Sequence, residues 1–135
     1  MTELKPTKHA SVQDKERFIR QFKHFVESDF NELTFPKWFY VRLSMTFGHI
    51  AHYNREGFYD TFFKTTCDKI TFLEQCRDYG CFGQPEYTFC DAEAIIAAWI
   101  REKKIVQKYE KKAKAEQEEM ERKLLKQLKE KYEEK

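Results

Sequence analysis

Apolar residues recur at helical spacing through the first hundred positions, and the pattern changes character after that. Phe18, Phe22, Phe25, Val26 and Phe30 fall three or four residues apart, which predicts a helix with one apolar face, and Ser11 stands where its N-cap belongs. Asn31, Glu32, Leu33 and Thr34 break that period. Thr34 ahead of Phe35 and Pro36 predicts a new helix start, because proline suits the first helical turn, and this helix is expected to run to about Tyr53. Its Trp38, Phe39, Val41, Leu43, Met45, Phe47 and Ile50 are apolar on more than one side, as in a central helix packed by several others. A short aromatic helix over residues 58–63 follows. Another is expected from residue 66 to about 79, carrying Ile70, Phe72 and Leu73 and stopped by Gly80.

Residues 81–90, with Gly83 and Pro85, read as the longest loop, and Asp91 as the cap of a last core helix tied inward by Ile95, Ile96 and Trp99. Beyond Arg101 the chain has no Gly or Pro and consists mostly of Lys, Glu, Gln and Ala, so the helix can continue to the end, adding about 50 Å at 1.5 Å per residue. The expected fold is all-α, a compact bundle of four or five helices with a long, charged, protruding C-terminal helix. Residues 1–10 form a flexible lead, 11–100 a helical core domain and 101–135 a charged helical tail.

Composition sharpens this division. All 13 Phe lie between Phe18 and Phe89, so the core is there. The net charge of +2 conceals a tail with 13 Lys or Arg against 9 Asp or Glu, which is too mild an excess for a dedicated nucleic-acid binder. No stretch approaches the roughly 20 apolar residues of a membrane span, and the first residues do not resemble an export signal. The expectation is a cytoplasmic protein with no membrane partner, in which Cys67, Cys76, Cys81 and Cys90 remain thiols.

Signals for catalysis are sparse. His49 and His52 share a helical face and could hold a metal, but no third ligand is specified, and Gly48, Gly57, Gly80 and Gly83 make neither a nucleophile elbow nor a phosphate loop. The four cysteines lack two-residue ligand spacing, and Glu56 and Asp60, one turn apart, read as solvated carboxylates. No cofactor is expected, and a metal-dependent hydrolase centred on His49 and His52 is the third reading.

Recognition is better marked. His52, Arg55 and Tyr59 mix donors, a cation and a ring near a helix junction. In the tail, Tyr109, Ala113, Met120, Leu124, Leu128 and Tyr132 make a stripe in which Tyr109 and Ala113 are echoed eleven residues on by Met120 and Leu124, the repeat of a straight or right-handed association. Lys103, Lys104, Lys108, Lys111, Lys112 and Lys114 offer a phosphate-tracking surface as an alternative. The block from Phe39 to Leu43 and from Phe47 through His49, His52 and Arg55 to Tyr59 resembles small uncharacterised proteins of bacteriophages. The resemblance covers about a fifth of the chain; it implies a mobile-element setting and no particular activity, and it raises slightly the chance of a host-directed binder. The expected function is non-enzymatic binding of a macromolecule, most naturally a protein or a second copy, through His52, Arg55 and Tyr59 or through Met120, Leu124 and Leu128. A nucleic-acid binder using the tail lysines is the runner-up.

Overall fold

Ser11 begins the first helix in the expected way. Its hydroxyl accepts the Asp14 N–H at 3.1 Å while the Asp14 carboxylate accepts the Ser11 N–H at 2.8 Å, so two otherwise orphaned donors are satisfied reciprocally. The helix, α1 (Val12–Glu27), buries Phe18, Ile19, Phe22, Phe25 and Val26. The computed structural model describes residues 3–47, 54–78 and 84–133. Among the described residues it contains six α-helices, one 3-10 turn and no strand: after α1 come the 3-10 turn Glu32–Thr34, α2 (Lys37–Phe47), α3 (Arg55–Phe62), α4 (Thr66–Asp78), α5 (Cys90–Glu102) and α6 (Ile105–Glu133).

Asp29 and Phe30 leave α1 at φ 59° and 58°, a left-handed step that costs a non-glycine residue roughly 1–2 kcal/mol. It is offset where it places Phe30, which is 1 % exposed and lies with its ring 5.0 Å from Phe25 and 5.2 Å from Phe63. Full burial of one such ring is worth roughly 1.5–3 kcal/mol. The new helix does not start at Thr34. Asn31 captures the Leu33 N–H at 2.9 Å, so the break residues close a separate 3-10 turn, and α2 begins only after Pro36, whose carbonyl accepts the Tyr40 N–H. Its expected extension to Tyr53 lies outside the described residues.

Phe25, Phe35, Phe39, Phe58, Phe63 and Phe72 meet in a continuous set of edge-on and stacked rings joining α1 to α4. Ile96 and Ile100 close it from α5, and the Trp99 ring stands edge-on to Phe22.

Further sequence expectations need correction. Asp91 does not cap α5: the helix starts at Cys90 after Phe89, and Asp91 sits within the first turn with its carboxylate buried. The tail is not one helix continuous with α5. Lys104 takes φ 52°, and the chain turns there so that Ile105 and Val106 re-enter the core, which uninterrupted helix would not allow. Cys90 is disulfide-bonded, whereas Cys67 is an exposed thiol and Cys76 a buried one. An argument from compartment describes the surroundings; folding decides which sulfurs become neighbours. The lead is also anchored, since Leu4 packs on the core and the Lys5 N–H is donated to Asp91 at 2.9 Å.

Candidate functional site

The first turns of α5 carry two buried acids with opposite circumstances. Asp91 is saturated. The Lys15 ammonium lies 2.8 and 3.0 Å from its oxygens and also donates to the Pro85 and Thr88 carbonyls at 2.9 Å each, and the Lys5 and Ala92 N–H groups complete the carboxylate. Both side chains are almost wholly buried, and a pair so enclosed persists only with its remaining hydrogen bonds made.

Glu93, two residues on, is 5 % exposed, and its Oε2 has no hydrogen-bond partner. Burial pushes this carboxyl up to about 7, so at neutral pH it is divided between its acid and its ionised form. Behind it on α4, burial raises the Cys76 thiol well above its ordinary range, with the Glu93 charge adding to the effect.

In front of Glu93 is a cleft of about 380 Å³ between α2, the turn at residues 84–89 and the N-terminal lead. His9, Arg42, Thr46, Tyr87 and Phe89 share its walls with Glu93. Among the described residues the Thr46 hydroxyl is the other buried side-chain polar atom without a partner. Arg42 lays its guanidinium over the Phe89 ring at 4.1 Å; desolvation lowers its pKa and the charge of Asp14 partly restores it. Among the described residues that guanidinium makes no hydrogen bond and no ion pair. The cleft therefore holds an unpaired carboxyl, an unpaired hydroxyl and a half-buried cation that do not satisfy one another.

The second candidate surface is α6. Its base is fixed: Ile105 and Val106 are buried, the Tyr109 hydroxyl donates to Asp29 at 2.9 Å, and Lys112 pairs with Asp29 at 2.7 Å. Burial by itself would raise the Asp29 carboxyl, but hydrogen bonds from Lys112 and Tyr109 and the charge of Lys69 outweigh it and hold it below the usual range. Burial, followed by the bond to Asp29, pushes the Tyr109 phenol far up. Thr66 at the start of α4 donates to the Glu116 carboxylate at 2.9 Å. From Lys114 to Glu133 every residue is exposed, including Met120, Leu124, Leu125, Leu128 and Tyr132, at 43 % to 71 %.

The other residues singled out in the sequence fall as follows. Arg55 donates to the Phe35 carbonyl at 2.8 Å and the Glu32 carbonyl at 3.2 Å and pairs with the Glu32 and Glu56 carboxylates, while the Tyr59 hydroxyl donates to the Phe30 carbonyl at 2.6 Å. Arg55 fastens the 3-10 turn to α3, and Tyr59 fastens the left-handed step before it. Asp60 pairs with Lys64. His49 and His52 lie outside the described residues, and among those described no three His, Cys, Asp or Glu gather as a metal site. Lys103 and Lys104 stand in the turn before α6, and Lys108, Lys111, Lys112 and Lys114 are exposed on the helix. No described helix is long and apolar enough to cross a membrane.

Glu93 and Lys15 were not singled out, yet the pattern marks both. Lys15 falls three and four residues before Phe18 and Ile19 on the apolar face of α1, and Glu93 three and four before Ile96 and Ala97 on that of α5. A charged residue on an apolar face must find a partner or shift its pKa. Comparison of the chain with family models, with curated proteins and with solved structures finds no match.

Proposed function

We propose that this protein acts by binding another protein helix along α6, without enzymatic chemistry. The observation that carries the reading is the continuity of one helix face. At 100° per residue, Val106, Tyr109, Ala113, Gln117, Met120, Leu124 and Leu128 fall within an arc of about 100°. The first three of these pack toward the body as buried or half-buried side chains, and the same face then runs on for about 25 Å from Gln117 to the end of α6 with its apolar residues in water. A groove between α4 and α6, walled by Ile70, Ala113, Glu116 and Met120, leads onto it.

Charge order selects the kind of helix that fits. Glu116, Glu118, Glu119 and Glu121 come first with no base among them, and Arg122, Lys123, Lys126 and Lys129 follow with no acid among them. A helix of the same order laid antiparallel sets acid against base, and a second copy of this chain meets that requirement. Arg55 and Tyr59, engaged in internal bonds, support the α6 surface over the one around α3.

Light scattering of the full chain across a concentration series tests the reading. A dimer that becomes a monomer in the Leu124→Glu, Leu128→Glu variant, with unchanged helicity of the body, is expected. A chain that is monomeric throughout, and whose capture of proteins from an extract the two substitutions leave unaltered, refutes it. Binding to DNA that weakens steeply with salt and is lost when the lysines at 103, 104, 108, 111, 112 and 114 become Gln would establish the nucleic-acid reading instead.

A further inference from the structure

We propose that the cleft between α2, the turn at residues 84–89 and α5 binds a free α-amino acid, its ammonium received by Glu93 and Thr46 and its carboxylate by Arg42. The proposal is independent of the α6 reading and rests on what the fold leaves unfinished. Buried polar atoms in folded proteins are nearly always bonded, and each exception calls for a cause. Among the described residues, both buried side-chain atoms without partners, Glu93 Oε2 and Thr46 Oγ1, belong to residues lining this one cleft. A misplaced acid on α5 is a poor explanation, since Asp91 on the preceding turn position is bonded on every side.

The missing partners can be read from the groups present. Glu93 is buried with its Oε2 unbonded and, among the described residues, without an ion pair, so it calls for a cationic N–H donor, and the Thr46 oxygen can accept a second N–H from the same ammonium. Arg42 carries the opposite demand: a planar fork of donors, half desolvated on the Phe89 ring, with no oxygen of the described residues bonded to it. Glu93 and Arg42 do not pair with each other, so a ligand must bring both charges, cation toward α5 and anion toward α2. About 380 Å³ suits a molecule the size of an amino acid, and Met45, Tyr87 and Phe89 present apolar surface to its side chain. A nucleotide or a metal ion fits less well, because each would bring only one of the two charges.

Other charges bear on the site from several directions. His9 faces the cleft from the lead, Arg42 from α2, and Cys76 adjoins Glu93 from α4, while Asp14 draws on Arg42 from the neighbouring cleft that it shares with Arg17 and Trp38. The Glu93 carboxyl must be ionised to receive an ammonium, and it titrates at about 7. Binding should therefore tighten about tenfold between roughly pH 6 and 8, with proton release on complex formation.

The test is a thermal-shift screen of the full chain against the twenty free amino acids, followed by calorimetric titration of the best probe, its methyl ester and its N-acetyl derivative. The expected result is saturable binding of at least one free amino acid and loss of at least about tenfold in affinity when either charge is masked. Glu93→Gln should weaken binding by a similar factor and abolish its pH dependence, while circular dichroism shows the fold retained. Arg42→Gln should weaken the free acid to the level of the methyl ester. No shift with any amino acid overturns the proposal. So does a methyl ester that binds as tightly as the acid, which would make the cleft a plain cation site, or binding that Glu93→Gln leaves intact.

Discussion

Replacing Glu93 with Gln should make the unliganded protein more stable, and only above mildly acidic pH. The carboxyl titrates at about 7 in the fold against 4.5 for the unperturbed group. Between those values the folded chain holds a proton that the unfolded chain has lost, so stability falls as pH rises through this window and levels off above it. At roughly 1.4 kcal/mol per unit the full displacement is about 3 kcal/mol, a large part of the 5–15 kcal/mol that holds a domain of this size together. Gln keeps the shape and removes the ionisation. Its amide still needs partners in the same enclosure, so part of the gain is offset, and an increase of about 2–3 kcal/mol at pH 8, shrinking toward zero near pH 4.5, is the expected net effect.

Urea unfolding of both proteins across this pH range measures the effect directly, and in a thermal scan the gain should appear as about 10 °C at pH 8. Curves that run parallel from pH 5 to 8 would show that Glu93 is not the group responsible and that its surroundings are more polar than its burial implies. The depressed Asp29 and Asp14 carboxylates do not confuse the reading, because their stabilising contribution is lost as pH falls through their still lower folded values.

Two further substitutions probe the frame around the site. Lys15→Met should cost about 3–5 kcal/mol in urea unfolding, because it strands the Asp91 carboxylate with 1 % exposure, and Lys15→Met with Asp91→Leu should recover most of the loss; equal costs for the single and double variants would refute the account. Lys104→Gly should stabilise by up to about 1 kcal/mol, since φ 52° is free of steric cost only for glycine, and a loss of stability would mean that the Lys104 side chain contributes more than the turn.

What could be read in the sequence was whatever local spacing determines. The apolar face of α1, its Ser11 cap and the aromatic content of α3 follow from residues within one or two turns of each other. The failures share a cause in distance along the chain. Nothing near Lys103 and Lys104 announces a break, because the gain lies in Val106 entering the core and in Tyr109 reaching Val26 and Asp29, some eighty positions earlier. Asp91 has the sequence look of a cap, and only its partner Lys15, 76 residues away, turns it into an internal counter-ion. The internal bonds of Arg55 and Tyr59 are equally unmarked, because their acceptors, the carbonyls of Phe30, Glu32 and Phe35, lie twenty or more positions earlier. The distal stripe of α6 was legible because no tertiary contact intervenes there to override the period.

Why the chain would keep an acid at position 93 then becomes a question of competing demands. The position faces the core between Ala92 and Ile96, where Leu or Met would remove the buried charge and add apolar contact, so stability alone argues against Glu. The same α5 shows that this fold can neutralise an acid completely, since Asp91 has a lysine and two backbone donors directed at it. Glu93 has been given none of these, and Arg42, a cation lining its cleft, is held on the Phe89 ring without being paired to it. An acid kept costly and unpaired at the wall of a cavity, with the means of pairing it close by, is the arrangement expected where a stability loss is offset by binding. Stabilisation and loss of amino-acid binding in the single variant Glu93→Gln would be two consequences of one missing charge, and finding either without the other would break that link.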